Sequence, residues 1–135
     1  MKIDKTLIIV SAIIKNKRDK ILLLKRGETK TFQAHWQLPE GKLEEKENPQ
    51  EALGREIKEE LGLDVNSVKL NGVSKSILQA KGVKYLTLRI IFLVKVKNKR
   101  IILSPEHSGY KWVKPNEIAR FELLPGTAEV IKSIN

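Results

Sequence analysis

Three carboxylates, Glu56, Glu59 and Glu60, stand at i, i+3 and i+4 in a stretch that otherwise reads as a helix. At about 100° per residue they project within an arc of roughly 100°, on the flank of an apolar stripe made by Leu53, Ile57 and Leu61. Like charges at i, i+4 cost a helix about 0.2–0.5 kcal/mol per pair, so a helix selected for stability alone would alternate signs there. Grouped carboxylates are what hard, oxygen-seeking cations such as Mg2+ or Mn2+ bind. A solvated acidic face with an Arg55–Glu59 ion pair explains the same spacing, and the helix by itself leaves both readings open.

The elements that would position this trio are written nearby. Asn48 suits an N-cap, Pro49 the first helical position, and Glu51 can reach back as a capping-box partner. Gly62 is a stop, which predicts a helix over 49–61. Upstream, residues 5–15 are β-branched and aliphatic and read as a buried strand, and 16–19 carry turn chemistry. Residues 21–25 form a second strand, so a hairpin is expected. Residues 27–35 are polar and read as a loop, followed by a short strand at 36–38 that Pro39 stops. Downstream, strands are expected at 64–79 (bent at Asn71-Gly72), 84–97, 101–103 and 110–113, with turns at Lys81-Gly82 and Asn98-Lys99. Short helices are expected at 115–120 and 126–134. This pattern is α/β, with helices covering a mixed, curved sheet.

Charge is distributed unevenly. The 135-residue chain has 26 Lys plus Arg against 16 Asp plus Glu, a net charge of +10. Residues 40–64 hold nine acids and four bases, a balance of −5, which leaves +15 on the remainder. Net charge alone favours anionic partners such as nucleic acid or phosphate esters. A simple nucleic-acid binder has no need of a dense acidic block, whereas a metal site that handles polyphosphate could use both halves. The length suggests one domain over 1–135, and the 41% hydrophobic content suffices for a core. No apolar run approaches the ~20 residues of a membrane span, and no signal-peptide pattern is seen, so a cytoplasmic location without membrane contact is expected. Absence of cysteine excludes disulfides and thiolate–metal sites.

The wider segment is more specific than the helix. Gly41, five residues, Glu47, seven residues, then Arg55-Glu56-Ile57-Lys58-Glu59-Glu60-Leu61-Gly62-Leu63 resembles the signature box of the Nudix hydrolases (MutT-like) without a mismatch. Trp36-Gln37-Leu38-Pro39 leads into it as the family does, and Tyr110-Lys111-Trp112-Val113 is similar to the family's late strand. The resemblance implies an α/β/α sandwich around a mixed curved β-sheet, with the box as loop–helix–loop. It also implies hydrolysis of a nucleoside diphosphate linked to another moiety, with Mg2+ or Mn2+. By the same resemblance Glu56 and Glu60 are metal ligands, Glu59 a ligand or the group that activates water, and the Gly41 carbonyl a further ligand. Glu47 and Arg55 become the pair that holds the loop and orients the helix carboxylates.

Outside the box, Arg26 ends the second strand where similar proteins often hold a phosphate-binding arginine; an exposed edge-strand charge is the alternative. Lys42 is either a phosphate contact or a solvated loop lysine. Glu106 lies in a loop where relatives often carry an extra carboxylate for metal or base. His107 and His35 read as structural or surface residues. Phe32, Trp36 and Tyr85 could stack a base, or belong to the core. Glu40 occupies a position where many triphosphate-cleaving relatives have glycine.

Among substrates, nucleoside triphosphates, including oxidised ones, suit a short MutT-type layout. ADP-ribose and nucleotide-sugar hydrolases often carry a proline past the box, and 76–79 has none. Dinucleoside-polyphosphate hydrolases often have a tyrosine there, and Tyr85 lies too far on. Removal of RNA 5′-pyrophosphate stays open because the basic remainder could bind RNA backbone. Outside the enzyme class, the alternative is a nucleic-acid-binding or regulatory module on the same fold. A monomer or homodimer is expected.

Overall fold

A computed structural model describes residues 2–97 and 100–134. Two sheets share the strands. β1 (Lys5–Ile14), β4 (Glu40–Lys42), β5 (Val65–Ala80) and β6 (Val83–Val96) form a four-stranded sheet in the order β4-β1-β6-β5. β1 runs parallel to β6, and the other two pairings are antiparallel, so the sheet is mixed. β2 (Ile21–Arg26), β3 (Trp36–Gln37) and β7 (His107–Val113) form a three-stranded antiparallel sheet in the order β3-β2-β7.

The two sheets explain why β1 and β2 are apolar on both faces. Val10, Ala12, Ile14, Leu22 and Leu24 pack with Leu53, Ile57 and Leu61 of helix α1 (Pro49–Leu61) in one core. Ile13, Ile21 and Leu23 turn the other way. They meet Ile118 of a 3-10 helix at Pro115–Arg120 and Val130 and Ile131 of α2 (Thr127–Lys132). Strands covered on both faces read as continuous hydrophobic runs. Each fully buried Leu or Ile contributes about 1.5–3 kcal/mol, so the Leu53/Ile57/Leu61 stripe is what binds α1 to the sheets.

α1 begins and ends as its sequence dictates. The Asn48 side chain accepts from the Glu51 amide at 2.9 Å, and Glu51 Oε1 accepts from the Asn48 amide at 3.2 Å. Gly62 closes the helix at φ 67°, a left-handed conformation that glycine adopts without strain, and donates to the Lys58 carbonyl.

Four expectations need correction or remark. The hairpin of the first two strands does not form: the chain turns at 16–19, but β1 and β2 diverge into separate sheets, joined by a single bridge, Lys15 to Ile21. Both strands are apolar on both faces, so each can serve a different sheet. Residues 101–103 are not a strand. Their neighbourhood instead satisfies the end of α1, since the Ile102 amide donates to the Leu61 carbonyl at 2.8 Å and the Ser104 amide to the Glu60 carbonyl at 3.0 Å. The expected Asn98-Lys99 turn lies outside the described residues. The bend at Asn71-Gly72 is a register shift in the β5–β6 pairing between Leu70 and Gly72.

Candidate active site

The C-terminal half of α1, β4, the end of β2 and the start of β7 enclose a cleft of about 650 Å³. Gly41, Lys42, Glu56, Glu59, Glu60, Arg26 and Glu106 all line it, so seven residues singled out in the sequence converge on one place. Glu47 and Arg55 stand behind its wall.

Glu60 is the most enclosed of the carboxylates. Its side chain is 8% exposed; Oε1 accepts from the Glu40 amide at 3.0 Å, and Oε2 lies 3.2 Å from His107 Nε2. Burial pushes this carboxyl well above the usual carboxylate range, and the nearby charges of Glu56 and Glu40 push in the same direction. Glu56 is also raised, chiefly by burial, against the downward pull of Arg55. Its carboxyl group lies against Gly41 so closely that a Cβ at Gly41 would fall inside it. Only glycine permits that approach of strand and helix.

Arg55 is the hub of the box. Its Nε and Nη2 donate to the two oxygens of Glu47 at 3.0 and 2.6 Å, and Nη2 also reaches the Lys42 carbonyl at 3.2 Å. Nη1 donates to Glu56 at 2.8 Å and to the more exposed Glu59 at 3.4 Å. Bidentate arginine–carboxylate pairs fix geometry as well as charge. The Arg55 hydrogen bond accordingly depresses the Glu47 carboxyl, and Glu47 in turn holds the guanidinium well above its ordinary value.

Arg26 is not an exposed edge charge. β2 is the middle strand of its sheet, and the guanidinium is half-buried, donating to the Thr31 carbonyl at 2.7 Å, the Thr31 hydroxyl at 3.3 Å and the Gln37 side chain. Burial lowers its affinity for the proton, while Glu40, Glu60 and Glu106 oppose this. Arg26 pairs across the sheet with His107. Glu106, whose carbonyl accepts from the Gly27 amide beside Arg26, is held by Lys30 at 3.0 Å. Phe32 and Tyr85 also line the cleft. Trp36 does not: it packs edge-on against Phe121 at 5.5 Å in the second core, and His35 turns to Glu122 at 3.3 Å.

Two features escaped sequence reasoning. His107 is buried against Glu60, and burial lowers its pKa, which keeps the imidazole neutral near pH 7. Its neighbour Glu106 was the available signal. Glu40 and Arg89, both lining the cleft, form a buried ion pair at 3.2 Å. A solitary charge inside an aliphatic strand was the signal there, since buried charges are paired.

The donor set fits a hard divalent cation. Burial raises both Glu56 and Glu60, Glu60 has the like charges of Glu56 and Glu40 beside it, and both offer oxygen. Among the described residues no three carboxylate or imidazole groups already converge on one ion. Mg2+ needs no such cage, because it keeps several waters and binds through one or two carboxylates plus substrate phosphates.

A family model described as NUDIX domain matches residues 5–134. The chain is a member of the Nudix hydrolase family. It is 34% identical over 121 residues to an RNA pyrophosphohydrolase of Hydrogenovibrio crunogenus, covering 77% of this chain and 71% of that one. It is 25% identical over 131 residues to the nucleoside triphosphatase NudI of Escherichia coli, covering 92% and 93%. The MutT protein of Methanosarcina mazei superposes with a TM-score of 0.77 at 28% identity, covering 97% of this chain and 94% of that one. This Nudix hydrolase is thus an enzyme of pyrophosphate-bond hydrolysis, in a family that generally depends on divalent metal. Among the described residues no helix is long and apolar enough to cross a membrane.

Proposed function

We propose that this Nudix hydrolase cleaves nucleoside triphosphates, ordinary or oxidised, to a monophosphate and pyrophosphate. The observation that carries the reading is the junction, in one cleft, of a buried carboxylate cluster with a basic rim of Arg26, Lys30 and Lys42. The cluster calls for cations and the rim for a polyanion. The likeness to a nucleoside triphosphatase over nearly the whole of both chains supports the same substrate class.

Glu56 and Glu60, with the Gly41 carbonyl, would hold Mg2+ or Mn2+, and Glu59 would either join them or take the proton of the attacking water. A bound divalent ion neutralises phosphoryl charge and lowers the pKa of a water. The rest falls to side chains. Arg55, clamped by Glu47, fixes the Glu56 and Glu59 carboxylates and the Lys42–Leu43 peptide, so positioning is built in before substrate arrives. Arg26 and Lys42 bind phosphate oxygens, Arg26 exchanging Thr31 and Gln37 for them. Glu106, released from Lys30, is a further carboxylate for metal or proton. Water oxygen bonds to phosphorus, the bridging phosphorus–oxygen bond breaks, and pyrophosphate departs.

A second reading is favoured by one observation: the relative at 34% identity is named an RNA pyrophosphohydrolase, and an RNA 5′-triphosphate end presents the same linkage. One experiment tests both. Product release from a panel of nucleotides and a 5′-triphosphorylated RNA is measured with and without Mg2+ or Mn2+, with Glu60→Gln as control. Metal-dependent turnover of free nucleotides supports the first reading, and turnover of RNA alone replaces it with the second. RNA binding with no turnover on any substrate overturns both in favour of a binding module.

A further inference from the structure

Arg89 is the only charge in the run 86–94 of β6 and is 3% exposed. It forks onto Glu40, Nε to Oε1 at 3.2 Å and Nη2 to Oε2 at 3.3 Å, while Nη1 donates to the Ser76 hydroxyl at 3.0 Å. The Ser11 hydroxyl donates to the same Glu40 Oε1 at 2.9 Å. Side chains from β1 and β6 thus converge on one carboxylate of β4, a strand of three residues, and Ser76 of β5 holds the arginine in turn. The amide of that same residue donates to Glu60 Oε1 at 3.0 Å, and the next residue, Gly41, is the one against which Glu56 lies.

Stability does not explain the arrangement. Replacing a buried ion pair by apolar residues of similar volume is often neutral or stabilising. Geometry does. β4 is held by β1 alone on its sheet edge, over three paired positions, and a strand this short has little register of its own. Besides the Arg55 bond to the Lys42 carbonyl at the other end of β4, the fork of Arg89 supplies a directional tether on Glu40, from the far side of β1.

We infer that Arg89 is a positioning residue: by clamping Glu40 it holds β4 in the register that presents the Glu40 amide to Glu60 and Gly41 to Glu56. This rests on the proposed reading of Glu56 and Glu60 as cation ligands. Arginine is required because a lysine ammonium is a point charge and cannot hold both Glu40 oxygens and Ser76 together.

The test uses Arg89→Lys, which keeps the charge and loses the fork, and the volume-preserving double variant Glu40→Leu/Arg89→Met, which removes both charges. Three quantities are read: hydrogen exchange at the amide of residue 40, Mn2+ affinity from the free-ion electron paramagnetic resonance signal, and kcat and KM on the best nucleotide. In both folded variants the amide should exchange faster. Mn2+ affinity and kcat should each fall about 10-fold or more, as for other residues that orient ligands, with KM little changed. Unaltered exchange and Mn2+ affinity in the folded double variant would overturn the inference, and that variant decides if Arg89→Lys does not fold. Should the wild-type protein bind no Mn2+, the ligand reading fails instead, and amide exchange still decides whether Arg89 holds β4.

Discussion

His107 Nε2 and Glu60 Oε2 lie 3.2 Å apart, each side chain less than one-tenth exposed. Neither imidazole nitrogen has a well-aligned hydrogen-bond partner, so the histidine does not satisfy the carboxylate beside it. Glu60 is therefore a buried carboxyl whose charge is opposed by its surroundings, as ligand sites often are before their cation arrives.

That opposition has a thermodynamic sign. The folded-state pKa of Glu60 lies above its unfolded value, so the folded protein holds an extra proton between the two. Stability from this group is fully present below the ordinary carboxylate pKa and is lost as pH rises through the raised value. In chelator at pH 8, Glu60→Gln should therefore stabilise the folded protein and raise its thermal midpoint. Scanning calorimetry from pH 8 to pH 5 should show the gain shrinking with acidity. A variant less stable than wild type throughout would contradict the assignment of strain to this carboxyl.

Activity should move the other way. Glu56→Gln and Glu60→Gln should each lower kcat by about 10²–10⁴-fold with an unchanged circular dichroism spectrum. Near wild-type turnover in either would remove that residue from the ligand set.

Gly41→Ala probes the contact between strand and helix. Its methyl group would occupy the space of the Glu56 carboxyl, so Glu56 or β4 must shift. Loss of most Mg2+-dependent turnover is expected, with the fold retained because both cores lie elsewhere. Steady-state kinetics as a function of Mg2+ concentration distinguishes this from simple unfolding.

Arg26→Ala should chiefly raise KM for triphosphates. Because Arg26 also ties down Thr31 and Gln37, limited proteolysis of the 27–35 loop should quicken as well. Faster cleavage with an unchanged KM would make Arg26 a loop anchor only.

Asn48→Ala removes half of the capping box and should cost about 1 kcal/mol, read as a lower denaturant midpoint at unchanged slope, with kcat preserved because the cap lies at the far end of α1 from Glu59 and Glu60.

Local chemistry made parts of this legible. The limits of α1 follow from Asn48, Pro49, Glu51 and Gly62, whose capping roles depend only on near neighbours. The convergence of Gly41, Glu47, Arg55, Glu56 and Glu60 follows from a spacing pattern that has one structural solution in its family. What stayed hidden depends on distant partners. Nothing in 5–25 says that two aliphatic strands part into different sheets, because buried strands lack the alternation that marks a face. β4 escaped notice because Glu40-Gly41-Lys42 has no strand propensity, and only pairing with Ile9, Val10 and Ser11 makes it a strand. The Glu40–Arg89 pair joins residues far apart in sequence, and His107 becomes part of the site only once β7 lies beside β2.

The parallel pairing of β1 with β6 also bears on how the chain comes to be folded. Ile9 faces Arg89 in the register, so β1 leaves the ribosome well before β6 and waits for a partner some eighty residues behind it. Until then its one available neighbour in the sheet is the three-residue β4. Closure of so long a loop slows folding relative to a helical domain of equal length. Through that interval an unpaired β-branched segment is open to self-association. The strand at the centre of the finished enzyme is the one most exposed while the enzyme is being made.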